Sequence, residues 1–142
     1  MLSMRVLFIF ITSLWAITGW AESAADPSGL WNTFDKVGTL QSTVEIKIED
    51  GKLYATVVSI HNQSEENPLC EKCEGDLYGT SVIGLEVING LTLKKNIWQQ
   101  GTIFDPQTGG SYKCKVWLEE DVLSVRAYLG FVYQTKFWQR AL

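Results

Sequence analysis

Two cysteines stand two residues apart in the stretch NPLCEKCEG, Asn67 to Gly75, of a chain that holds only one other, Cys114. Such a pair suits thiol redox exchange, half of a zinc site, or a disulfide that closes a short loop. Redox exchange wants the first thiol at a helix N-terminus, where the dipole lowers its pKa. Here Pro68 precedes the pair, no strand–helix–strand pattern surrounds it, and Glu65 to Asp76 carries five acids against one lysine. Negative surroundings raise a thiol pKa and suppress the thiolate. Zinc takes four ligands, and only Cys70, Cys73, Cys114 and the sole histidine, His61, make up that number. Cys114 falls in the middle of a strand pattern, so no metal is expected. The remaining reading is a Cys70–Cys73 disulfide, with Cys114 a buried free thiol. Closing so short a loop stabilises by ~2 kcal/mol. A Cys73–Cys114 link would give ~4 kcal/mol in the same description, but it requires the loop to fold over the strand.

Other catalytic groupings are thinner. His61 has no serine or cysteine beside it at a recognisable turn, so triad chemistry lacks its nucleophile–base pair. Glu86 and Asp105 are the carboxylates to nominate, but strand-edge acids normally face water, and Asp105 precedes Pro106 as a turn residue. No set of acid, base and nucleophile emerges. An enzyme is the third-ranked reading, and no cofactor is implied.

The elements that must position these residues begin behind an export signal. In MLSMRVLFIFITSLWAITGWAES, Arg5 precedes an apolar run from Val6 to Ile17. That run is shorter than the ~20 residues a membrane span takes. Small residues at Gly19 and Ala21 predict cleavage after Ala21, with Ala25 the alternative. The expected organisation is a signal peptide over residues 1–21 and one domain over 22–142, periplasmic or secreted, with no membrane span. The chain carries 12 Lys and Arg against 16 Asp and Glu, and loss of Arg5 makes it more acidic still. Such a balance offers no electrostatic footprint for nucleic acid.

The domain reads as short alternating segments. In STVEIKIEDGKLYATVVSI, Val44, Ile46 and Ile48 alternate with polar residues, and Asp50-Gly51 supplies a hairpin turn. Folding there sets Ile48 against Leu53, Ile46 against Ala55 and Val44 against Val57, with one face wholly apolar. A second hairpin turns at Glu120-Asp121, setting Leu118 against Leu123, Val116 against Val125 and Cys114 against Ala127. Its opposite face carries Trp117 and Tyr128, which join Tyr54, Val58 and Ile60 on an aromatic outer surface. TSVIGLEVI, LTLKKNIWQQGTIF and FVYQTKFWQRAL supply further strands, and His61 to Thr80 is the one long connection. No segment holds a helical period beyond two turns. The expected fold is all-β: a single antiparallel up-and-down barrel of eight to nine strands, with a sandwich the alternative.

A barrel brings its first and last strands together, and here these carry Gly29-Leu30-Trp31 and Trp138-Gln139-Arg140. Arg140 is expected across the face of Trp31 or Trp138, closing one end with a contact of ~0.5–2 kcal/mol. The pattern resembles the lipocalin and wider calycin barrels. A closer resemblance, from Gly29 to Arg140, is to a bacterial exported family described only as a domain of unknown function, DUF2147. It is carried by GLW, VEI, DGKLYATVV, NPLCEKCEG, VIGLEV, GTIFDPQTGGSYKCKVWLE and LSVRAYLG in that order. The resemblance implies a lipocalin-like barrel and an export signal, and no activity. The chain departs from the family pattern near its end, at YQTKFW.

Function then falls to the lumen. The ligand-binding residues expected there are Ala55, Val57, Tyr112, Cys114, Val116, Val125 and Ala127, with Phe131 and Tyr133 as plugs beside Tyr112. Many are small, and an eight-stranded barrel is wide enough to be filled by side chains or to hold one small ligand. The leading expectation is a small apolar or amphipathic ligand bound by apolar burial. The alternative is a cell-envelope interaction module with a filled core, which homodimerises through its aromatic outer face.

Overall fold

The computed structural model describes Gly19, residues 25–61 and residues 67–142. Apart from Gly19, the expected signal peptide lies outside these residues. Eight strands follow in order: β1 Gly29–Phe34, β2 Leu40–Glu49, β3 Lys52–Ile60, β4 Glu86–Lys94, β5 Ile97–Asp105, β6 Gly110–Glu119, β7 Val122–Leu129 and β8 Val132–Arg140. Each pairs antiparallel with its sequence neighbour, and β1 pairs with β8, so the sheet closes into an up-and-down barrel. Closure removes most of the sheet edge that could attract another chain.

Both expected hairpins form in the expected register. Val44 faces Val57, Ile46 faces Ala55 and Ile48 faces Leu53 across β2–β3. Cys114 faces Ala127, Val116 faces Val125 and Leu118 faces Leu123 across β6–β7. The segment LTLKKNIWQQGTIF is divided by a turn at Lys95 and Asn96, both with positive φ, which separates β4 from β5. One outer-face expectation is overturned. Val58 is an extra residue in the β2–β3 ladder, because Thr43 pairs with Ser59 while Val44 pairs with Val57. Such a bulge inverts the alternation beyond it. Ile60 therefore points into the barrel, where it lines the internal cavity.

The two ends of the barrel differ. One carries the β2–β3, β4–β5 and β6–β7 turns and both ends of the described domain. Trp31, Leu53, Leu91 and Leu123 pack it shut, each 0% exposed. The other carries the β1–β2 loop, the long β3–β4 connection and the β5–β6 and β7–β8 turns, and there the barrel is open.

The seam between β1 and β8 is short. It consists of Trp31 opposite Arg140 and Asn32 opposite Gln139. The Arg140 guanidinium lies 4.5 Å from the Trp31 ring centroid, so the choice between Trp31 and Trp138 falls on Trp31. The same guanidinium donates hydrogen bonds to the Ser28 and Asp26 carbonyls, both at 3.0 Å. The Trp31 indole N–H donates to the Pro27 carbonyl at 2.8 Å. Gly29 has φ +120°, a conformation closed to most L-residues, and its open side faces Arg140. The Asp26 carboxylate accepts the Ser28 N–H, which, helped by the Arg140 charge, lowers its pKa. Its contribution is therefore present above the ordinary carboxylate pKa and is lost as pH falls through the lowered one.

Arg140→Ala is predicted to destabilise the barrel by about 1–3 kcal/mol, through loss of the ring contact and the two hydrogen bonds. Arg140→Lys should recover only part of this, because an ammonium does not present a planar fork to two carbonyls. Urea unfolding measures both, and an unchanged midpoint for Arg140→Ala would show that the seam does not depend on this clamp.

Candidate functional site

The open end leads into a cavity of about 450 Å³. This is within the range of small-molecule sites, roughly 300–1,000 Å³. Its lower part is formed by Val44, Val57, Val125 and Trp138, whose alternation with outward neighbours turns them inward. Beneath them Ile46, Ala55, Cys114 and Val116 are buried in a close-packed layer. The expected lumen set thus divides by depth. Val57, Tyr112, Val125 and Ala127 line the cavity, whereas Ala55, Cys114 and Val116 belong to the packed layer below it.

Phe131 and Tyr133 are corrections. Phe131 is fully exposed at the β7–β8 turn, and Tyr133 is 59% exposed on the outer face. The inward positions of β8 are instead Gln134, Lys136 and Trp138, all of which line the cavity. Tyr133 stacks outside, with the Arg126 guanidinium 4.2 Å from its ring centroid. Arg126 also lies 5.0 Å from the Trp117 ring centroid and donates to the Thr135 hydroxyl. Lys115 sits 5.7 Å from the Tyr128 centroid. Three of the outer aromatic rings, Trp117, Tyr128 and Tyr133, thus each face one of the protein's own cations.

Bulges enrich the rim. Thr33 pairs with Ser42 and Phe34 with Leu40, so Gln41 is an extra residue in β2. Thr33, Phe34, Gln41 and Ser42 consequently all reach the cavity. The Thr33 and Ser42 hydroxyls are hydrogen-bonded at 2.6 Å. Period-two reading passes over these residues, as it does Lys136 and Gln134. The available signal was that both share the face of Trp138.

The cysteine loop forms one wall of the opening. Cys70 and Cys73 are disulfide-bonded, and both are buried although the loop between them is exposed. Pro68, Leu69, Glu71 and Lys72 line the cavity. The loop is held by the Cys70 N–H donating to the Thr80 carbonyl and the Gly79 N–H donating to the Cys70 carbonyl. It rests on the β5–β6 turn at Gly109, where a Cβ would collide with the Lys72 carbonyl.

The nominated chemical groups have other partners. Asp105 caps the β5–β6 turn, its carboxylate accepting the Gln107 N–H at 2.9 Å. Glu86 is exposed and accepts the Asn89 amide N–H. His61 Nε2 is hydrogen-bonded with the Thr43 and Ser59 hydroxyls, at 2.9 and 3.2 Å, apart from all three cysteines. Among the described residues no three His, Cys, Asp or Glu side chains are grouped to hold a metal ion.

A closed antiparallel eight-stranded barrel with one open end and an internal cavity is a lipocalin-like fold. The chain belongs to the bacterial family DUF2147, described as an uncharacterized protein conserved in bacteria, whose family model matches residues 29–140. Among solved structures it is similar to protein HP1028 from the human pathogen Helicobacter pylori, which belongs to the lipocalin family. The two superpose with a TM-score of 0.72 at 20% identity, covering 83% of this chain and 84% of that one. Curated protein sequences contain no match.

Burial pushes the Cys114 thiol pKa up to about 12 from 9.0. Its neutral form is therefore held in the fold, and stability falls as pH rises from 9.0 towards about 12, where the unfolded thiol ionises and the native one does not. The native protein is predicted to resist thiol alkylation at neutral pH. Unfolded without reductant it should gain one alkyl group by mass, and after reduction three. Three groups without reductant, in protein taken from its native compartment, would refute the Cys70–Cys73 bond.

Proposed function

We propose that the protein is an exported carrier of one small apolar or amphipathic molecule, held in the lumen of its barrel. The cavity carries this reading: about 450 Å³, open at one end, with valine, isoleucine and aromatic side chains in its wall. Burying a ligand's apolar surface there is favourable by about 25 cal/mol per Å² removed from water. The export signal expected from the sequence supports a place outside the cytoplasm, as does a disulfide, a bond that persists in oxidising compartments.

The interaction-module reading has less support. It requires a filled core and a free aromatic face, whereas there is a cavity and Trp117 and Tyr133 already share Arg126. Its signature would be self-association abolished by Trp117→Ser.

Native mass spectrometry of protein from its own host should show a bound small mass that organic extraction removes. The extracted protein should then bind a neutral fluorescent probe, N-phenyl-1-naphthylamine, saturably. Ala127→Leu and Val57→Phe place bulk in the cavity and are predicted to weaken that binding, with stability costs of no more than about 1–3 kcal/mol. Absence of both a co-purifying mass and saturable probe binding would overturn the carrier reading.

A further inference from the structure

The cavity is chemically two-sided. Its wall on β3, β4 and β5 is apolar up to Asp105 at the end of β5, made by Val57, Ile60, Val87, Ile103 and Phe104. On the neighbouring strands β8, β1 and β2 the lining includes Gln134, Lys136, Thr33, Gln41 and Ser42. These three strands are contiguous across the barrel seam, so these polar groups form one stripe, while Glu71, Lys72, Asp105 and Gln107 add polar groups at the rim.

Lys136 is the charge in that stripe. It occupies an inward position of β8, opposite Val125 and two residues from buried Trp138. No carboxylate balances it: the only ion pair among the described residues is Lys47 with Glu45. The acids that line the cavity, Glu71 and Asp105, lie in the cysteine loop and at the last position of β5, and neither is within ion-pair distance of Lys136. Lys136 is solvent-exposed at the open end of the lumen, and an anion delivered to it makes a charge-assisted hydrogen bond stronger than a neutral one.

We propose that the lumen takes an anionic amphiphile: a hydrocarbon body against the β3–β5 wall, with a single carboxylate head on the polar stripe and Lys136 as its counter-charge. Gln134 and Gln41 supply amide N–H donors to the same head, and the Thr33–Ser42 hydroxyl pair completes the stripe. The proposal rests on the lumen being a binding site and adds the charge of its occupant. A different role for Lys136 is also physically reasonable. Above the Trp31–Arg140 and Asn32–Gln139 pairs, β8 has no β1 partner, and inward charges guard such edges against pairing with another chain.

Calorimetric titration with decanoate and with decanol, at low salt on extracted protein, separates these cases. Wild type is expected to bind decanoate roughly ten- to a hundredfold more tightly than decanol. Lys136→Met keeps the side-chain length and removes the charge. It should erase the preference by weakening decanoate binding about tenfold or more, and Lys136→Arg should retain the preference. Equal binding of both ligands by wild type would overturn the proposal and leave the carrier reading standing. A preference that survives Lys136→Met but not Lys72→Met would move the counter-charge to the loop and also overturn it. Self-association of Lys136→Met with the preference intact would assign Lys136 to edge protection instead. No binding of either ligand by wild type would remove the carrier reading and this proposal together.

Discussion

A sheet that closes on itself has to join its first strand to its last, and here that join spans two residue pairs beside one arginine laid on one tryptophan. Trp31 is fully buried, so its indole N–H needs a partner and finds the Pro27 carbonyl. Arg140 covers the ring and ties down the segment before β1 through the Asp26 and Ser28 carbonyls. The closed end is thus locked by side chains from both ends of the domain. The packed layers above it, from Leu53 and Leu91 up to Val116, depend on that end staying shut.

The brevity of the seam has an effect at the other end. Because β1 stops pairing with β8 after Asn32, the upper half of β8 is freed from the ladder on that side. The bulges in β1–β2 and β2–β3 lie at the same end, where they turn Gln41 and Ile60 towards the lumen. The disulfide-closed loop then leans over the opening, seated on Gly109. One end of the barrel is regular and packed; the other is irregular and hollow. Functional sites commonly occupy such irregular ends, while the scaffold below supplies rigidity.

Period-two alternation made the scaffold legible from sequence. Val44, Ile46, Ala55 and Val57 on one hairpin, and Cys114, Val116 and Val125 on the other, are buried as their spacing requires. Asp105 as a turn residue and Cys70–Cys73 as a staple follow from equally local chemistry. The cavity lining was less legible, for two physical reasons. A bulge is one extra residue with no signature of its own, yet it reverses the facing of all that follows, as at Ile60. On β8 the usual pattern is also inverted: Gln134 and Lys136 point in, while Tyr133 and Phe137 point out. An apolar-in rule therefore assigns Tyr133 to the lumen. Such a local reversal of the patterning rule is where a site is to be sought.

The central claim is that a small molecule enters the barrel rather than adhering to its surface. Methyl-labelled NMR of the extracted protein, titrated with decanoate, tests this most directly. The account predicts shifts for the cavity methyls of Val44, Val57, Val87 and Val125, with the outward methyls of Val58 and Val122 unmoved. Shifts confined to Val58, Val122 and other outer-face methyls, with the four cavity valines unmoved, would contradict it.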